Sequence, residues 1–149
     1  GAKLFFRDGL VQHAGIEVGP FDTIVHVNQD FVDEREGYRG RATRPGNFSA
    51  VTGACQMVRR DVFEQMGGND ADFCMRVKEA GYLTVFTPYA KLHHYEFTSR
   101  GREEVDDAKM RRWEGERELF QERWAKYFEE GDPFSNPNLS LESCYYALP

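Results

Sequence analysis

Two carboxylates and two histidines are the residues of this chain best suited to chemistry. Asp70 and Asp72 lie in Asn69-Asp70-Ala71-Asp72-Phe73-Cys74-Met75-Arg76, which reads as the opening of a short helix, and His93-His94 ends a strand further on. A carboxylate at the rim of a core can take a proton from a hydroxyl, and a neutral imidazole can hold a divalent ion. Together they suit transfer of a group onto a hydroxyl.

Helix geometry separates the acids. Asp70 shares a face with Phe73, Cys74 and Val77, the side expected to meet the core. Asp72 lies four residues before Arg76 and can pair with it. A plain alternative stands beside the catalytic one, because acids in a first helical turn are favoured by the helix dipole. The dipole would lower the pKa of Asp70 and burial would raise it. Strand alternation places His94 with Ala90 and Leu92, on the core side, and leaves His93 exposed with Lys91. His94 is therefore the expected ligand, with Glu96 as a partner for its second nitrogen. A satisfied core histidine is the alternative. His13 and His26 have no paired ligand near them in sequence and are read as structural.

The elements that must position these residues are legible from pattern. Residues 3–6 and 10–18 are apolar runs around Arg7-Asp8-Gly9, a hairpin signal ended by Gly19-Pro20. Residues 28–47 read as a long loop. Residues 48–58 read as a buried strand carrying Thr52-Gly53-Ala54, a small-residue stretch suited to close approach by a ligand. Residues 60–66 form a short helix stopped by Gly67-Gly68, and Asn69 caps the next helix, closed by Gly81. Residues 83–86 and 90–95 are strands. Residues 103–129 read as one long amphipathic helix, with Met110, Trp113, Phe120, Trp124 and Phe128 as a stripe expected in the core. Gly131-Asp132-Pro133 stops it.

Composition narrows the function classes. The 149 residues make one domain or a large part of one, with 40% hydrophobic and 14% aromatic residues, enough for a real core. A net charge of −6 disfavours a nucleic-acid partner. No apolar run reaches membrane-spanning length, and no secretory signal pattern opens the chain. Cys55, Cys74 and Cys144 are odd in number and far apart, which fits reduced intracellular thiols, with Cys55 and Cys74 packing in the core.

Several segments in order resemble the C-terminal half of bacterial family-two glycosyltransferases, the rhamnosyltransferase-like members in particular. They are Gly1-Ala2-Lys3-Leu4 with Asp8-Gly9 and Gln12-His13-Ala14-Gly15, Ser49-Ala50-Val51-Thr52-Gly53-Ala54-Cys55 with Val58-Arg59-Arg60, the Asn69-Asp70-Ala71-Asp72 stretch, Thr87-Pro88-Tyr89-Ala90, His94 with Glu96, Ser99-Arg100-Gly101, and Asn136-Pro137-Asn138-Leu139-Ser140. The likeness covers nearly the whole chain.

The resemblance implies an α/β fold, the acceptor-side part of a GT-A nucleotide-diphospho-sugar transferase spanning 1–149, with a mixed sheet, flanking helices and a long C-terminal helix. It implies inverting transfer from a nucleotide-diphosphate sugar to a glycan or lipid-linked acceptor in polysaccharide synthesis, in the cytoplasm or peripherally at the inner face of a membrane. Asp70 matches the family's base and Asp72 the second acid. His94 matches a position linked to a divalent metal, Mn or Mg. Arg100 is placed to touch the diphosphate, and Thr52, Gly53 and Ala54 line the sugar and acceptor cleft. The nucleotide-binding half with its Asp-x-Asp motif is absent, so the expectation is a fragment inactive alone, with a homo-oligomer open. The family's loop between the glycine pair and the Asn-Asp motif is also absent at Gly68-Asn69. Two other readings compete: a non-catalytic binding or assembly module on the same fold, and a metal hydrolase built on His93 and His94, which lacks clustered further ligands.

Overall fold

The computed structural model describes residues 1–19, 23–33, 37–67, 70–95, 107–142 and 144–146, with Asp70 described in its backbone alone. Among them a mixed α/β arrangement forms. A four-stranded sheet has the order β2-β1-β6-β5, built from β1 (Ala2–Phe5), β2 (Val11–His13), β5 (Gly46–Asn47) and β6 (Val85–His93). β1 and β2 are antiparallel, as the hairpin signal requires, and β6 runs parallel to β1. A two-stranded ribbon pairs β3 (Ile16–Val18) with β4 (Ile24–His26). Gly15, at φ +116°, breaks the apolar run 10–18 into β2 and β3, and a Cβ there would fall 2.5 Å from the Phe48 ring. Only glycine lets the chain turn from one sheet to the other beneath that ring.

The helices follow the glycines. α1 (Arg60–Met66) ends at Gly67, φ +53°, whose N–H donates to the Phe63 carbonyl. α2 (Asp70–Glu79) is followed by Gly81 at φ +86°. The Asn69 cap lies outside the described residues. The core gathers Phe5, Val11, Ile16, Phe48, Val51, Phe73, Cys74 and Phe86.

Four expectations are corrected. Residues 48–58 are not a strand. The chain is buried through Val51, touches β3 through the isolated bridge Ile16–Ala50, then turns outward into a 3-10 turn, Gly53–Cys55. Cys55 is accordingly only half-buried, while Cys74 is in the core. The two strands 83–86 and 90–95 are one, β6: its pairing jumps from Thr87 to Lys91 while β1 advances from Ala2 to Lys3. Pro88 sits in that bulge, where it removes no ladder hydrogen bond. The long helix is two, α3 (Asp107–Arg123) and α4 (Ala125–Glu130), broken at Trp124, φ −110° and ψ 18°; residues 103–106 lie outside the described residues. Finally, its stripe is core only at the break. Trp124 is buried against Val18 and Met75, whereas Trp113 is exposed and α3 itself buries no residue fully. No described helix is long and apolar enough to cross a membrane.

Candidate functional site

The outward turn after Val51 begins the site. Thr52 Oγ1 accepts from the Ala54 N–H at 3.3 Å, so the hydroxyl starts the 3-10 turn that carries Gly53 and Ala54. The Thr52 N–H points the other way, toward His13 Nε2 at 3.3 Å. A nitrogen that accepts carries no proton, so His13 holds its proton on Nδ1 and donates it to His26 Nδ1, 3.2 Å away. Burial, followed by the repulsion of His26, holds His13 well below the ordinary histidine pKa and keeps it neutral. β2 and β4 supply these two rings, which meet edge to face with centroids 5.3 Å apart.

His94 closes the same cavity from the end of β6. Gln12 grips it twice: Gln12 Nε2 donates to the His94 carbonyl at 3.4 Å, and Gln12 Oε1 lies 3.0 Å from the His94 Nδ1. The carbonyl can only accept, which fixes the amide orientation, so Nδ1 carries the proton and Nε2 carries the lone pair. Gln12, His13, His26, Gln29, Thr52 and His94 line a cavity of about 110 Å³. His94 was expected on the core side; it is exposed at the rim, because β6 runs past the edge of the packed core at this end. His93 is exposed too and lies against Phe5 and Tyr95, with centroids 5.8 and 6.4 Å away. Thr52 and His94 are thus brought together. His13, His26, Gln12 and Gln29 were not singled out as functional: they come from two strands and a turn, and no spacing in the sequence joins the β2 pair to the other two.

Asp72 is tied into the scaffold. Its Oδ2 accepts from Arg76 Nε at 2.9 Å, and its Oδ1 from Arg123 Nη1 at 2.8 Å and Trp124 Nε1 at 3.1 Å. Burial pushes its pKa up, but the donors Arg123, Arg76 and Trp124 outweigh it and hold the carboxyl below the usual range. Arg76 spends its other nitrogens on the Met66 and Gly67 carbonyls at the end of α1. One acid thereby joins α1, α2 and α3 and fixes the first turn of α2, on which Asp70 stands. Gln56 Nε2 donates to Cys74 Sγ at 3.1 Å, linking α2 to the segment just past the Thr52 turn. The Asp70 side chain, Glu96 and Arg100 lie outside the described residues.

The metal implied by the resemblance can be tested against this geometry. No group of three or more His, Cys, Asp or Glu among the described residues is arranged to hold an ion. His94 Nε2 fits as one ligand, held in the right tautomer by Gln12, and the described residues supply no complete set.

Comparison with known proteins gives a consistent result. Across 99% of its length the chain is 39% identical, over 158 residues, to the uncharacterized protein y4gI of Sinorhizobium fredii. Across 95% it is 31% identical to the O-antigen biosynthesis protein RfbC of Myxococcus xanthus. Over 62 residues it is 36% identical to an N-acetylglucosaminyl-diphospho-decaprenol L-rhamnosyltransferase of Mycobacterium tuberculosis. The chain spans 17%, 11% and 20% of these relatives' own lengths. No family model matches, and no solved structure matches. The mixed α/β fold is compatible with a glycosyltransferase-like domain, and two of these relatives carry names from glycan synthesis.

Proposed function

We propose that the chain is the acceptor-side part of an inverting glycosyltransferase of GT-A type that moves a sugar from a nucleotide diphosphate to a hydroxyl of a glycan or lipid-linked acceptor, on the cytoplasmic side of a membrane. The observation that carries the reading is the His94 ring, oriented by Gln12 and sharing a cavity with the Thr52 turn. In the proposed reaction the acceptor hydroxyl lies along Thr52, Gly53 and Ala54. Asp70 takes its proton as the oxygen bonds to the anomeric carbon, and the bond from that carbon to the diphosphate breaks on the opposite face. Asp72 keeps the first turn of α2 in place for Asp70, and Arg100 meets the diphosphate. A divalent ion, Mn or Mg, would neutralise charge on the leaving group. His94 would give that ion one ligand, and the remaining ligands would come from the nucleotide-binding part of the full-length protein.

The test is made in the full-length protein. Asp70→Asn should lower transfer by about 10²- to 10⁴-fold, the range for loss of a general base. His94→Ala should lower it and raise the metal concentration needed for half-maximal rate, while His93→Ala leaves both unchanged. Wild-type transfer by Asp70→Asn and His94→Ala together would remove this reading.

A further inference from the structure

A second cleft abuts the core at Phe48. The sequence from residue 37 to residue 60 contains Arg39, Arg41, Arg44, Arg59 and Arg60 and no acid, in a chain whose net charge is −6. The first three of these arginines line one cavity of about 210 Å³, floored by Gly40, Asn47 and Phe48. At about 30 Å³ of liquid volume per water, that is room for about seven waters, enough for a phosphate group with its neighbours.

The backbone is bent to make this cleft. Arg39 at φ +51° and Gly40 at φ +74° are consecutive left-handed residues, and the Arg44 side chain lies directly over Gly40, where a Cβ would come 3.2 Å from Nε. The Arg39 guanidinium rests 5.9 Å from the Tyr38 ring. Arg41 is anchored: it pairs with the buried Glu17, donates to the Phe134 carbonyl at 2.8 Å, and lies 4.4 Å above the Phe48 ring. Its Nε, buried, has no hydrogen-bond partner. Arg39 and Arg44 are exposed at the mouth and form no ion pair with any described residue. Two uncommitted guanidinium forks beside a fixed third make a site for a planar or tetrahedral oxyanion, which arginine binds through paired hydrogen bonds.

We propose that the Arg39–Arg44 cleft is an anion subsite that takes a phosphate or diphosphate group of a substrate. The anion preference stands on the arginines alone. That the group belongs to a substrate rests on the sugar-transfer reading. Two substrates carry such a group, a nucleotide diphosphate and a lipid-linked diphosphate acceptor.

Titrating the chain with inorganic pyrophosphate, followed by the arginine Nε–H NMR signals and by calorimetry at low salt, reads the cleft directly. Saturable binding that shifts the Arg39 and Arg44 signals is expected. Arg39→Ala with Arg44→Ala should weaken it at least tenfold, and Arg59→Ala, whose side chain pairs with Asp61 outside the cleft, should not. The double Lys variant keeps the charge and loses the forks, so intermediate affinity is expected. Absent binding at millimolar pyrophosphate, or equal binding by the double Ala variant with its circular dichroism unchanged, overturns the proposal. Competition of bound pyrophosphate by a nucleoside diphosphate, or by vesicles carrying a polyisoprenyl diphosphate, names the source. Loss of sugar transfer in Asp70→Asn bears on the reaction alone, so the two failures are distinguishable.

Discussion

Two buried polar clusters hang from neighbouring strands, and they differ in what they leave unsaturated. His13, the last residue of β2, begins one; Glu17, in the middle of β3, begins the other. Glu17 is fully buried, paired with Arg41 and accepting from the Tyr146 hydroxyl at 2.8 Å. Asp132, close by, accepts from the Val18 N–H at 2.7 Å and the Phe134 N–H at 2.8 Å. Glu17 and Arg41 answer each other directly, and the two atoms they leave over, Glu17 Oε2 and Arg41 Nε, are buried. The histidine cluster is neutral throughout its buried part, and its chain of donors ends at a cavity. A cluster whose groups answer one another stabilises a fold. A cluster that orients a ring and leaves that ring's second nitrogen uncommitted can act on something else.

The largest expected effect breaks the closed cluster. Glu17→Ala leaves Arg41 and the Tyr146 hydroxyl without their buried acceptor, and loss of one member of a buried pair costs about 3–5 kcal/mol. The urea midpoint should fall accordingly; a loss below about 1 kcal/mol would mean the cluster does not hold the fold.

The next prediction sets the two clusters against each other through pH. Burial first, offset in part by Arg41, pushes Glu17 up to about 7 from 4.5. Between those values the folded protein keeps a proton that the unfolded chain has released. Glu17 therefore contributes stability that is complete below about 4.5 and is lost as pH rises toward 7. His13 has the opposite sign: it stays neutral when folded and is protonated in the unfolded chain below 6.5, so its contribution is present above 6.5 and is lost as pH falls. The wild type should show a flattened profile between pH 4.5 and 7. Glu17→Gln should steepen it by about 2–3 kcal/mol in favour of neutral pH, and His13→Gln should tilt it toward acid. Denaturation midpoints at pH 5 and 7 check both signs, and parallel profiles for all three proteins would remove the assignment.

What the sequence reveals of these clusters follows from distance along the chain. The hairpin at Arg7-Asp8-Gly9, the helices at 60–66 and 70–79, and their glycine stops are local events, written in consecutive residues. Strand alternation sets His94 on a buried face with Ala90 and Leu92, yet all three are exposed together with His93, because where the core ends along β6 is not a local property of the sequence. Tyr146 meets Glu17 across 129 positions, and no period or spacing announces such a pair. The exposed Trp113 teaches a further limit: an apolar stripe records that a face can be buried, and says nothing about what lies against it. The sequence reads 83–86 and 90–95 as separate strands, whereas the bulge that joins them into β6 belongs to the pairing with β1.

Asp72 lies between the two kinds of cluster, saturated by donors yet two residues from the proposed base in the same first turn of α2. Asp72→Ala removes hydrogen bonds from Arg76, Arg123 and Trp124, and hydrogen bonds to charged groups are worth about 1.5–3 kcal/mol. A loss of about 2 kcal/mol is expected, reduced by the partial exposure of the carboxylate. Since its folded pKa lies below the ordinary 3.8, that contribution is present above pH 4 and is lost as pH falls through the acid range. Addition of Arg123→Ala to Asp72→Ala should cost little more than the first change alone, because both remove one shared contact.

The smallest effect addresses the ring itself. Gln12 holds His94 by two hydrogen bonds, to its carbonyl and to Nδ1, and does not need to touch substrate. Gln12→Leu keeps the bulk and removes both partners, freeing the ring to rotate or to place its proton on Nε2. Removing such a supporting partner typically costs 10- to 100-fold in metal affinity or activity. In full-length protein the lower end is expected, about tenfold, seen as a higher metal requirement with stability nearly unchanged. Gln12→Glu keeps an acceptor for Nδ1–H and should restore most of the rate. In a His94→Ala background Gln12→Leu should have little further effect on the metal requirement, since the bond left over, to the residue 94 carbonyl, orients no ring. An additive loss in the double variant would assign Gln12 a direct contact in the cavity and would make the amide, rather than the imidazole it supports, the working group of this rim.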